Sequence, residues 1–131
     1  MKHHLRPLLF MTAILMFTFC TLCSTKAYAG DYYMGQYTNG NHAWLISESI
    51  QIGNYRNFEV TVKSVRNGEV RNYIHYVFSG GVGPDGYIER FNSSDGRSGE
   101  INASGLDQWS SVEHNIFDHY QKVWFDYIAG N

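Results

Sequence analysis

The chain has 131 residues, with ten basic side chains against twelve acidic ones and a formal charge of −2 at neutral pH. No two basic residues are adjacent anywhere after Lys26. Binding to phosphate backbones or anionic lipid draws on clustered Lys and Arg, so nucleic acid is excluded as an expected partner.

Residues 1–29 have the three parts of a secretory leader. Lys2 and Arg6 give a basic start, Leu8 to Cys23 carries no charge, and Ala27-x-Ala29 supplies the small residues a signal peptidase needs. The apolar run is 16 residues long, short of the ~18 expected of a spanning helix. Cleavage is expected after Ala29, leaving no stable membrane insertion. The only two cysteines, Cys20 and Cys23, fall inside this run. A redox or zinc C-x-x-C needs a folded junction or further ligands, so the spacing is read as incidental. Bulky Phe19 and Leu22 before the two cysteines also argue against lipid-anchor processing.

Residues 30–131 then form one domain, without cysteine and with seven basic residues against twelve acidic ones. "DYYMGQYTNG" ends in a turn at Asn39-Gly40, and Ala43 to about Ile52 reads as a strand bent near Ser49. "NFEVTVKSV" alternates cleanly, with Phe58, Val60 and Val62 on one face. Asn67-Gly68 signals a hairpin into "EVRNYIHYVF". A two-residue turn alone would send the second strand's apolar set to the wrong side. A three-residue loop is therefore expected, opposing Val60 to Ile74 and Phe58 to Tyr76. "SGGVGPDG" reads as a flexible connection before the short strand "YIERF". Asp95-Gly96 makes a turn and a short strand follows around Glu100–Ala103. From Ser110 the spacing of Val112, Ile116, Tyr120, Val123 and Tyr127 predicts an amphipathic helix, with Ser110 and Glu113 as a capping box and Gly130 past its end. The expected fold class is α+β: a single antiparallel sheet of five or six strands with the helix packed on one face.

Chemistry is sparse. There is no G-x-S-x-G, and His114 and His119 are five apart, the wrong step for a helical metal pair. Glu89 and Glu100 have no fixed separation that would support glycoside chemistry. No cofactor and no metal are expected. Tyr, Trp and Phe supply 17 of the 102 residues after Ala29, more than a core explains. Glu59, Thr61, Arg71, Tyr73 and His75 are expected on the sheet face away from the helix and form the candidate binding surface.

An aromatic-led strand ending in "SESIQI", the alternating "FEVTV", its partner "YIHYVF" and a final amphipathic helix together resemble the small bacterial surface-adhesin E type of domain. That resemblance covers residues 42–128 as an order of elements. It implies a sheet whose concave face packs against the C-terminal helix, and a role in adhesion. The adhesin tethers its helix by a disulfide, for which residues 30–131 have no cysteine. The expectation is a secreted or periplasmic, non-enzymatic binding domain with a protein or other macromolecular ligand. A homodimer is compatible with it. A periplasmic accessory or inhibitor protein is the alternative, and a small secreted hydrolase a more distant one.

Overall fold

The computed structural model describes residues 30–84 and 86–130; the leader expected over residues 1–29 lies outside them. Seven strands form one antiparallel sheet: β1 (Tyr32–Gln36), β2 (His42–Leu45), β3 (Gln51–Asn54), β4 (Asn57–Arg66), β5 (Glu69–Gly83), β6 (Gly86–Ser93) and β7 (Ser98–Asn102). Their spatial order is β1-β2-β4-β5-β6-β7, with β3 also pairing β4. The sheet curls into a half-barrel, and one helix, α1 (Ser111–Ile128), packs against its concave side. The expected α+β class therefore holds. Because β2 and β3 lie end to end along the same edge of β4, seven strands fill six positions.

The β4–β5 hairpin corrects the expected register. Arg66 pairs with Glu69, so the loop is the two-residue Asn67-Gly68, with both residues at positive φ (52° and 78°). The face conflict is resolved two residues later. Ser64 pairs with Asn72 but Val65 with Val70, which leaves Arg71 as an extra residue in a bulge. Beyond it Val62 opposes Ile74, Val60 opposes Tyr76 and Phe58 opposes Phe78. Burial did dictate parity, as expected, but a bulge in β5 restores it as well as a longer loop would. Lys63 faces Tyr73 in this register. Gly68→Ala should cost about 1 kcal/mol through its left-handed φ alone, since a Cβ there meets nothing within 4 Å. An unchanged urea midpoint would contradict this turn.

The strand anticipated from Ala43 to Ile52 bends near Ser49 as expected, but the bend is a single 3-10 turn at Ser47–Ser49 that divides it into β2 and β3. Ser49 makes this tolerable: its hydroxyl donates to the Ile46 carbonyl (2.7 Å) and accepts from the Thr61 amide (2.8 Å), replacing ladder bonds the turn removes. A further expectation is corrected: residues 79–83 of the glycine-rich stretch end β5 as strand rather than loose connection, with Gly80 opposite Glu89 and Gly83 opposite Gly86. Gly80 and Gly83 serve close approach. A Cβ on Gly80 would stand 2.9 Å from that of Arg56.

The helix begins as expected, with both halves of the Ser110–Glu113 capping box formed, and Gly130 follows its end at φ 84°. Its buried face is shorter than the apolar stripe. Val112, Ile116, Phe117 and Tyr120 enter the core, but Phe125, Tyr127 and Ile128 are more than half exposed. The core lies between α1 and the inward rows of the sheet, including Leu45, Phe58, Val60, Val62, Ile74, Tyr76, Phe78 and Phe91.

Candidate functional site

Cross-strand partners share a face, so the register assigns the outer surface directly. Tyr33 pairs with Trp44, Trp44 with Lys63 and Lys63 with Tyr73, a row across β1, β2, β4 and β5. Tyr33 and Tyr73 are exposed (48 % and 60 %), whereas Lys63 between them is 7 % exposed. Tyr33 packs on Trp44 (5.1 Å between ring centres), and its hydroxyl meets His42 Nδ1 at 2.7 Å. The alternation that sends Val60 and Val62 inward leaves these side chains facing out.

The next rows hold three of the five expected site residues in one hydrogen-bonded set. Thr61 and His75 are directly opposed. His75 Nε2 lies 2.8 Å from Glu59 Oε1, and its Nδ1 lies 3.2 Å from the Thr61 hydroxyl. A carboxylate only accepts, so Nε2 donates to Glu59, while Nδ1 faces the Thr61 hydroxyl. Tyr73 joins them from the adjacent row. Arg71 does not: as the bulge residue it is displaced toward the hairpin, where it lies 3.6 Å from Glu69. Carboxylate, imidazole and hydroxyl are the groups used in nucleophilic catalysis. Here they sit on an open sheet face, with the His75 and Glu59 side chains about two-fifths exposed (40 % and 43 %).

The other groups weighed in the sequence are engaged elsewhere. Glu89 pairs with Arg56 (2.6 Å), and Glu100 with Arg90 (3.5 Å). His114 turns to Asp107 (2.8 Å). Among the described residues no three His, Cys, Asp or Glu side chains gather as a metal site would require.

Sequence reasoning missed a buried polar network on the concave side. Glu113, fully buried, accepts through Oε1 from the Ser110 amide (2.8 Å) and hydroxyl, and through Oε2 from Tyr76 (2.7 Å) and Arg97 (2.9 Å). Arg97 also donates to Tyr76 (2.7 Å) and to Asp95 (3.1 Å). The Tyr37 hydroxyl lies 2.7 Å from that of Tyr76. Burial alone would push the Glu113 carboxyl up, but the hydrogen bonds from Ser110, Tyr76 and Arg97 outweigh it and hold it below the ordinary glutamate range. Burial raises Tyr37 to about 12. One signal was present: Glu113 stands on the apolar stripe beside Val112, and a charge there needs a partner.

No family model matches this chain, and no curated protein or solved structure matches it either.

Proposed function

We propose that this is an exported, non-catalytic α+β domain that binds another protein through the outer face of its sheet, in adhesion or in organising the cell envelope. The observation that carries the reading is the row Tyr33–Trp44–Lys63–Tyr73, with a buried lysine between aromatic neighbours and two tyrosines left in water. Tyr and Trp combine apolar area with a hydrogen-bonding tip and are enriched at protein interfaces. The Glu59–His75–Thr61 set supplies polar contacts beside that row.

The main sheet edges favour the face over strand addition. On β1, Asn115 donates to the Met34 carbonyl (2.9 Å). On β7, the Gln108 amide donates to the Glu100 carbonyl (2.9 Å) and the Asn102 amide to that of Leu106 (3.1 Å). β3, with four residues, is too short to recruit a strand firmly.

Placing a photo-crosslinking phenylalanine analogue at position 73 in expressing cells should give discrete heavier adducts, and the same analogue at exposed Ser104 should give none. Trp44→Ala should weaken capture roughly ten-fold, the size of a moderate hot-spot truncation. Adducts equal at both positions, or absent from position 73, would overturn the reading. Protease added to the intact cells separates its two forms. Loss of the protein fits adhesion, whereas protection until the envelope is opened fits a periplasmic accessory or inhibitor. An adduct of twice the chain mass would identify the partner as a second copy.

A further inference from the structure

We infer that a second site, the cleft at the mouth of the half-barrel, binds a neutral polyhydroxylated ligand of mono- to disaccharide size. The cleft has a volume of about 350 Å³ and lies between the β1–β2 turn, the β6–β7 turn, the start of α1 and the inward side of β4 and β5. Small-molecule pockets run from about 300 to 1,000 Å³, so it suits a small ligand.

Its floor departs from the logic of the core. Of the inward rows, Leu45–Val62–Ile74 and Ile52–Phe58–Phe78–Phe91 are apolar throughout, and Val60–Tyr76–Ser93 between them carries two hydroxyls that are bonded within the protein. The next inward row toward the hairpin is Ala43–Ser64–Asn72, which places the buried Ser64 hydroxyl where further apolar packing would stabilise more and the exposed Asn72 amide at the mouth of the cleft. Ser64 is 2 % exposed and lines the cleft. It accepts from Asn41 Nδ2 at 2.8 Å and so keeps its own proton to donate. Asn41 is itself 7 % exposed, and its side-chain oxygen has no partner among the described residues. Turning that amide over would only exchange an unpaired oxygen for an unpaired nitrogen. Ser64, held from behind by Asn41 and lining the cleft with a proton still to donate, is the buried group that a ligand would complete.

The charges at the cleft select the ligand class. Arg97 lines the cleft and is already committed to Asp95, Glu113 and Tyr76, and Arg66 at its rim is committed to the Asn39 carbonyl. Two guanidiniums against two carboxylates leave no net charge and no uncommitted cation to hold a phosphate or carboxylate ligand. The carboxylates are spoken for as well: Asp95 accepts from Ser93 and Arg97, and Glu113 uses both oxygens. What remains toward the opening is neutral and able both to donate and to accept: Thr38, Asn39, Asn72 and Ser111. Sugar hydroxyls, each a donor and an acceptor, match that lining.

The test is an NMR titration of the isotope-labelled exported protein. The probes are glucose, galactose, N-acetylglucosamine and their common disaccharides, with acetate and phosphate run alongside. At least one sugar should shift the Thr38, Ser64, Asn72 and Ser111 amides saturably, and the anions should not. Asn72→Ala removes an exposed side chain, so the fold should persist; affinity should fall roughly five- to ten-fold, one neutral hydrogen bond's worth. Ser111→Ala serves as a second probe of the rim. No saturable shift from any sugar, shifts centred on Tyr33 and Tyr73, or a stronger response to acetate or phosphate would each overturn the inference.

Discussion

Glu113→Gln will lose about 3–5 kcal/mol of folding free energy at neutral pH, because at least two donors aimed at a buried carboxylate are left unpaired, at about 1–3 kcal/mol each. The Glu113 side chain is 1 % exposed, and each carboxylate oxygen accepts two hydrogen bonds. An amide supplies only one acceptor atom. Whichever way it turns, its NH₂ group points donors at either the Ser110 amide and hydroxyl or at Tyr76 and Arg97. Arg97 also loses its buried counter-charge. For a domain of this size the melting temperature should fall by some 12 °C or more. Arg97→Met in the same background should restore part of the loss, because it removes a donor that the new amide cannot accept from. A loss below about 1 kcal/mol would show that the network is peripheral to folding.

The pH dependence follows with a definite sign. The folded-state pKa of Glu113 is held below its ordinary value of 4.5. Its contribution is therefore complete above about pH 5 and is lost as pH falls through the folded value. Asp95 is lowered from 3.8, with the bonds from Ser93 and Arg97 outweighing burial, and adds to the same acid limb. Wild type and Glu113→Gln should thus converge in acid, as chemical denaturation at a series of pH values would reveal. Tyr37 works in the opposite direction. Burial raises it from 10.0 to about 12, so stability is lost between those values as the unfolded chain ionises first.

The parts that were legible in the sequence are those governed by local period. Phe58, Val60 and Val62 announce the inward face of β4. Val112, Ile116 and Tyr120 do the same for α1, and Ser110 with Glu113 marks its start. What stayed hidden depends on distant residues. Nothing in "EVRNY" distinguishes Arg71 as a bulge from Gly68 as part of a longer loop, since both restore the same parity. The glycines of 79–83 look flexible until the Arg56 side chain and Tyr87 are seen lying against Gly80. Arg97 sits in an ordinary turn sequence, and its role exists only because the β6–β7 turn brings it beside Tyr76 and α1. For the outer surface, Glu59, Thr61, Tyr73 and His75 were readable from alternation. Trp44 and Tyr33 were not, because their alignment with Tyr73 runs through Lys63 across three strand pairings.

Phe58→Ala should be the most damaging of the core truncations, at about 3–5 kcal/mol. Phe58 is 3 % exposed and lies between sheet and helix, stacked on Phe78 (4.6 Å, 5°) and on Tyr120 (3.7 Å, 8°). Its loss removes these two stacked contacts and a tilted one with Phe117 (6.1 Å), each worth about 0.5–1.5 kcal/mol beyond area alone. It also opens a cavity between rigid neighbours that cannot collapse into it. The control is Phe125→Ala on the same helix. Phe125 is 55 % exposed and makes one tilted contact, with Tyr55 at 5.9 Å, so its removal should stay within about 0.5 kcal/mol. Urea denaturation of the two variants measures where the burying surface of α1 ends. A large loss from Phe125→Ala, or a small one from Phe58→Ala, would mean that the last two turns of the helix, and not its first three, carry the packing. The exposed run Phe125–Ile128 would then have to be covered in the native protein, and the boundary of the core would move past Tyr120.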